Sequence, residues 1–217
     1  MGWTGDTAVE AYDGTVYRMQ NLKKGHVLKG KDGPVVVECL VQTSLDAEAY
    51  GTANCNPLCL VVDFAFDSNG SKIDEPREIK ASTQPRACGN VYNPVMVLSK
   101  RARETWIWTF MHTVSHEARM NKYLITYDIV LNKEHRHIPI SVFRDVYIPS
   151  LGHGSVRNVL CHPYFGDARI IKDLQMDPAY HSQGLVVLKG KNYIRDGQTG
   201  TVRSVVGVSG DAQCVLA

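Results

Sequence analysis

A handful of short stretches hold the residue types that chemistry needs. Ser150-Leu151-Gly152-His153-Gly154 and Cys161-His162-Pro163-Tyr164-Phe165-Gly166 set histidines beside glycine or proline, where backbone is held close to a site. A Cys–His pair is the usual source of a thiolate nucleophile. Cys161 and His162 are sequence neighbours, however, so in a strand their side chains face opposite ways. Thr109-Phe110-Met111-His112 is a literal T-x-x-H. Cys55 and Cys59, His112 and His116, and the pair His135 and His137 have the look of metal ligands. The spacing is weak support, because Met120 stands where a zincin helix needs its second histidine. Neither metal nor cofactor is expected. There is no G-x-S-x-G, no phosphate-cradling glycine loop and no dinucleotide fingerprint.

The elements that must position these groups read as strands. Runs rich in Val, Ile, Thr and Tyr recur between turn signals, among them "PVVVECLVQT", "PVMVLS", "WIWTF", "KYLITYDIVLN", "ISVFRDVYIPS" and "GLVVLKG". Asp13-Gly14 lies between two β-prone arms and predicts a hairpin. Lys24-Gly25 predicts a second turn. Helical signals are few: one turn or more near 111–121, and a short helix over 167–174 capped by Asp167. Residues 67–90 are polar and hold two prolines and two glycines, which predicts a loop or insertion. The segments on either side share one character, so the expectation is a single all-β domain over 1–217.

Bulk properties exclude several classes. The 217 residues can bury a core of their own. A formal net charge of +2 supplies no field for nucleic acid or an anionic membrane, and neither is expected as a partner. No apolar run approaches the roughly 20 residues that span a bilayer. The N-terminus lacks the basic-then-apolar pattern of a signal peptide. Six cysteines are too few for a disulfide-built scaffold of this length and read as buried thiols in a reducing compartment. A cytoplasmic, monomeric protein is the expectation.

The opening stretch, Gly2-Trp3-Thr4-Gly5-Asp6-Thr7, then Asp13-Gly14, then Asn21-Leu22-Lys23-Lys24-Gly25-His26-Val27, resembles the first block of the Hedgehog/intein (Hint) family. That block begins with a nucleophilic cysteine, and the match sets Gly2 in its place. The runs Tyr127–Leu131, Ser150–Gly154 and His162–Gly166 resemble the Vint branch, whose Hint domains are attached to von Willebrand factor A domains. "NYIRDGQTGTVRSVVG" resembles that branch's closing strands. The family's T-x-x-H block falls on Asn90 to Asn93, ahead of Trp106 and Trp108, so Asn90 stands for its Thr and Asn93 for its His. Thr109 and His112 form the literal motif later in the chain.

The resemblance implies a flat, pseudo-symmetric β horseshoe of short twisted strands. It places the strands near 7–20 beside those near 201–208, with residue 2 in the interior. It implies a domain that attacks the peptide bond at its own N-terminal junction through a thioester, with His153 and His162 as candidates to assist. The partner would be a covalently attached upstream domain, possibly of the von Willebrand factor A type. Full splicing is not expected, because the chain ends "DAQCVLA" rather than in the His-Asn pair that precedes an intein's downstream residue. Without a thiol at residue 2 the chain would be inactive. Two accounts of Gly2 stay open: a replaced cysteine, or a naturally degenerate domain kept for structure or binding. A non-catalytic β-rich module that binds metal or protein is the alternative of a different class.

Overall fold

The computed structural model describes residues 2–50, 54–55, 58–59, 94–99, 105–110, 122–142, 146–156, 160–198 and 201–207. The expected loop at 67–90 and the expected helical turn at 111–121 lie outside them. The described chain is all-β, with two short helices.

The N-terminal hairpin forms where Asp13-Gly14 predicts it. β1 (Ala8–Glu10) pairs antiparallel with β2 (Val16–Arg18). The tip needs a glycine, since Gly14 has φ 88°, and the Asp13 carboxylate accepts the Thr15 N–H at 2.9 Å. A 3-10 turn (Met19–Asn21) and a turn at Gly25, also at φ 88°, lead into β3 (Val27–Gly30).

β4 (Gly33–Tyr50) is the long strand that joins the two halves of the fold. It pairs antiparallel with β3, then with β9 (Lys122–Leu131) on one edge and, in parallel, with β12 (Leu185–Lys189) on the other. A register shift between Val37 and Cys39 works as a bulge. Because side chains alternate along a strand, a one-residue slip exchanges faces. Val35 and Val37 therefore face one core with Trp3, Leu28, Tyr127 and Ile129. Cys39 and Val41 face a second core with Val130, Tyr164, Phe165 and Val186. Through that slip the odd-numbered residues of β4 serve the two cores in turn, and Leu40 beyond it faces the first core.

The remaining strands are β5 (Asn54–Cys55) and β6 (Leu58–Cys59), which pair with each other, β7 (Pro94–Ser99), β8 (Thr105–Phe110), β10 (Ile140–Ser141), β11 (Tyr147–Ile148), β13 (Tyr193–Arg195) and β14 (Val202–Val205). The main sheet runs β12-β4-β3-β10-β11-β7-β8, with β9 added on β4. α1 (Ala168–Leu174) starts where the sequence predicts, with Asp167 accepting the Arg169 N–H at 2.8 Å. α2 (Pro178–Ser182) starts the same way from Asp177, with proline in its first turn.

One expectation fails. The last strands do not lie beside the N-terminal hairpin: β14 pairs with β13, across a bulge at Ile194/Arg195. Val202 and Val205 are buried in the second core, and the hairpin's Val9 is buried in the first. Residue 2 is nonetheless buried, because Trp3 is bridged to Tyr127 of β9. Trp3 is 1% exposed in the first core. Trp3→Ala is expected to cost about 3–5 kcal/mol of unfolding free energy by urea titration. A loss under about 1 kcal/mol, the range of surface substitutions, would show that the N-terminal segment is not docked on β9.

Candidate functional site

Two segments far apart in sequence meet on one edge of β9. Trp3 and Tyr127 exchange both backbone bonds, N–H to O at 2.8 Å each way. Two residues along the same edge, the Leu151 N–H donates to the Ile129 carbonyl at 2.8 Å. Strand residues advance about 3.4 Å each, so these two attachments lie about 7 Å apart. Gly2, just before the Trp3 bridge, is buried against Thr126 of the same strand. His153 is two peptide units beyond Leu151, at most about 7.6 Å by chain length. The N-terminal segment and the segment that leads to His153 are thus attached to one edge of β9.

Residues 3–7 are fixed tightly enough to hold that placement. Thr4 and Thr7 are fully buried, and their hydroxyls lie 3.1 Å apart. The Gly5 carbonyl accepts the Gln20 N–H at 3.1 Å, and that of Thr7 accepts the Met19 N–H at 2.8 Å. A Cβ built on Gly2 would stand 2.7 Å from both Cβ and Oγ1 of Thr126. A side chain at residue 2 would thus point into the polar end of the second core. Thr43, Thr126 and Asp128 form that end, at 4%, 4% and 1% exposure, with Thr43 opposite Thr126 across the sheet. The Thr43 hydroxyl lies 2.9 Å from the Tyr193 hydroxyl.

His153 and His162 are held by backbone. Gly152 and Gly154, at φ 67° and 71°, donate their N–H groups to the carbonyls of Phe165 and Gly166, each at 2.8 Å. This ladder ties the Ser150–Gly154 segment to the His162–Gly166 segment. His153 Nδ1 accepts the Ser155 N–H at 3.0 Å. Its ring lies so close to Gly166 that a Cβ there would be 3.1 Å from Cε1 and 3.2 Å from Nε2. His162 Nδ1 accepts two N–H groups, from Tyr164 at 3.1 Å and Phe165 at 2.9 Å, and the ring stacks on Phe165 with centroids 4.5 Å apart. Phe165 in turn meets Tyr193 edge-on.

These contacts fix the protonation state. Burial pushes the His153 imidazole down to about 4. Burial, then like charge from the amino terminus, Arg195 and His153, pushes His162 down to about 3. At pH 7 the His153 imidazolium is about one part in a thousand, so both rings are neutral. Since each Nδ1 is an acceptor, each Nε2 carries the proton. Two neutral N–H donors result, a poor arrangement for a general acid and a good one for stabilising developing negative charge.

A cleft of about 510 Å³ opens beside His153. His153, Gly154, Ser155 and Leu160 line it together with Met96, Trp106 and Trp108 of β7 and β8.

Part of this assembly lies within a stretch that resembles a known family. The family model for the Vint Hint domain matches residues 101–204. Over that span the chain is similar to the Vint family of Hint domains. No curated protein matches the chain. The span takes in β8 to β14, His153, His162 and the second face of β9, whereas Gly2 and the opening block precede it.

Other residues singled out in the sequence fare differently. Thr109 pairs with Val95 in the β7–β8 ladder. Asn90, Asn93, His112 and His116 lie outside the described residues, as do the side chains of Cys55 and Cys59. Cys161 is exposed, whereas His162 beside it is buried, as an extended pair requires. His135 accepts the Val36 N–H at 3.2 Å. Sequence reading missed Thr126, Asp128 and Tyr193 of the Vint domain. The signal for the first two was present: two polar residues at period two inside the apolar run "LITYDIVL" mark one polar face of a buried strand.

The two lowered histidines set a pH dependence. The unfolded chain binds their protons below about pH 6.5, and the folded chain resists doing so until about 4 for His153 and about 3 for His162. Stability contributed by the neutral rings is complete above pH 6.5 and is lost as pH falls through that window. At pH 5 the loss is about 2 kcal/mol for each ring, being about 1.5 pH units below the unfolded value. Urea titrations of wild type and His162→Asn at pH 7.5 and 5.0 check this. The wild type's advantage should shrink by about that amount at pH 5.0. An unchanged gap would mean that His162 is not buried neutral.

Proposed function

We propose that this Vint domain is the processing module of a larger protein, built to break the peptide bond preceding residue 2, and that Gly2 leaves it unable to begin. In the active form a cysteine thiol at residue 2 adds to the preceding carbonyl carbon. The C–N bond breaks, the freed nitrogen takes up a proton, and the acyl group remains on sulfur as a thioester. Water, a thiol, an amine or another nucleophile then releases it. The observation that supports this reading is that the buried N-terminal segment and the loop leading to buried His153 attach to one edge of β9, through the Trp3–Tyr127 and Leu151–Ile129 backbone bonds.

In this reading His153 and His162 act as Nε2–H donors toward the carbonyl oxygen as it gains charge. Asn90 and Asn93, or Thr109 and His112, would steady the nitrogen that leaves. Asp128 and Thr126 flank residue 2 on β9 and would orient its side chain. The upstream partner is a covalently attached domain, and the von Willebrand factor A type fits the branch.

One observation favours a second reading, a degenerate domain kept as a non-catalytic binding module. A Cβ at residue 2 would collide with Thr126, so the site as it stands is shaped around glycine. The two readings separate in a fusion carrying an upstream domain, Gly2→Cys, and Thr126→Ala to open room. Self-processing predicts slow cleavage by mass spectrometry, accelerated by dithiothreitol or hydroxylamine. The rate should rise toward the thiol's pKa, about 8.5 unless the site lowers it. His153→Ala or His162→Ala in that background should slow it by on the order of 10²–10³. A folded fusion that stays intact through long incubation with thiol would leave the binding-module reading standing.

A further inference from the structure

The self-processing reading gives no role to the hydroxyl groups that meet where a side chain at residue 2 would point. We infer that Tyr193 is a positioning residue for that reaction: its hydroxyl holds the Thr43 hydroxyl as a hydrogen-bond donor toward residue 2, where it would favour the thiolate over the thiol. The inference rests on the proposed function for its biological sense and on the geometry around β4 for its substance.

The contacts run in one line across the sheet. A Cβ on Gly2 would stand 2.7 Å from the Cβ of Thr126. Thr126 is paired with Thr43 in the β4–β9 ladder. Directly opposite residues share a face, with β carbons about 5 Å apart, so those of residues 2 and 43 are no more than about 8 Å apart. Thr126→Ala opens the space between them. On its other edge Thr43 is level with Leu188 of β12, and the chain turns back through a 3-10 turn (Gly190–Asn192) to Tyr193. That turn sets the Tyr193 hydroxyl 2.9 Å from the Thr43 hydroxyl.

The direction of this bond follows from acidity. A phenol is a stronger acid than an alcohol, so Tyr193 donates and Thr43 accepts. A threonine hydroxyl carries one hydrogen as well as its lone pairs, and Thr43 keeps that hydrogen for another acceptor on its face. A donor to the charged form of an acid favours ionisation. The Tyr193 ring is held separately: it meets Phe165 edge-on with centroids 6.1 Å apart, and Phe165 stacks on His162. Tyr193→Phe therefore removes the hydroxyl and leaves the packing. The ionisable neighbours are Asp128, buried on the Thr126 face of β9, Tyr164 and His162 beside Phe165, and Arg195 of β13, whose charge acts on His162. Asp128 would raise the pKa of a thiol placed here and Arg195 would lower it, and both effects persist when the Tyr193 hydroxyl alone is removed. The amino terminus also acts on His162 and is absent from a fusion.

The test uses the full chain fused to an upstream domain in the Gly2→Cys/Thr126→Ala background, and it reads the pKa of the introduced thiol. Its alkylation by iodoacetamide is followed against pH by peptide mass spectrometry, which separates it from the six native cysteines. Tyr193→Phe should raise that pKa by about one unit, a loss of thiolate of about tenfold at neutral pH. Cleavage at neutral pH should slow by the same factor, and the difference should close as pH rises past both pKa values. Thr43→Val should shift the pKa as far, and the double variant no further, because both changes break one relay. A tyrosine with a structural role only would lower the melting temperature and leave the pKa in place.

A shifted pKa in a fusion that never cleaves would keep the relay and sink the self-processing reading. Cleavage by a thiol whose pKa neither Tyr193→Phe nor Thr43→Val moves would keep that reading and overturn the inference. If Tyr193→Phe does not fold, Thr43→Val decides alone, by the same shift or by its absence.

Discussion

The architecture depends on one strand having two usable edges. β9 gives one edge to β4 along most of its length, and that pairing is ordinary antiparallel sheet. Among the described residues its other edge is not extended by a full strand. Two short pieces share it, Trp3 at Tyr127 and Leu151 at Ile129. An open edge is a row of backbone groups that must find partners when buried. Here the partners are the start of the chain and the loop that carries His153. The demand of buried backbone for hydrogen bonds is thus what brings the ends of the site together, and the side chains follow.

The same strand decides the polarity of the site. Its odd residues, Tyr127, Ile129 and Leu131, supply the first core, and Val130 on the even side supplies the second. Thr126 and Asp128 lie on that second face as well, so the face turns from polar to apolar along its length. A side chain at residue 2 would enter at the polar end. The two imidazoles are locked through Nδ1 by backbone N–H groups, and that of His162 stacks on Phe165 of the second core. Burial takes their charge away while the backbone decides which nitrogen keeps the proton. A histidine treated this way is a fixed dipole rather than a titrating group at neutral pH, and its use lies in where the N–H points.

Much of this was legible in the sequence for reasons that are local. The Asp13-Gly14 hairpin, the Gly25 turn and the Asp167 cap are set by residues within four positions of one another, and each formed where it was read. His153 and His162 stood out because glycine and proline beside a histidine signal backbone in close contact. What could not be read was non-local. The expected pairing of the hairpin with the final strands failed because alternation says which face of β14 is buried but not against what. The bulge at Val37/Cys39, which lets β4 serve two cores, leaves no mark in a run of "VVVECLV" that is apolar on both faces.

The general-acid role that a histidine at a scissile bond invites is the clearest case of burial outweighing residue type. Composition offers His153 and His162 as proton donors, since a free imidazole titrates near neutral pH. Placed beside Gly166 and Phe165, away from water, each would need to be protonated against a cost that grows as the other is charged. Two imidazolium rings in one buried site repel. Under the proposed function, the chemistry that fits is stabilisation of a transient oxyanion by neutral N–H groups, with the proton for the departing amine supplied from the attacking thiol itself or from solvent. That proposal would make the pH profile of cleavage in a Gly2→Cys form depend on the thiol alone between about pH 6 and 9, because a ring with a pKa near 4 has no proton left to lose there. A falling limb in that interval, removed by His153→Asn, would restore the general acid.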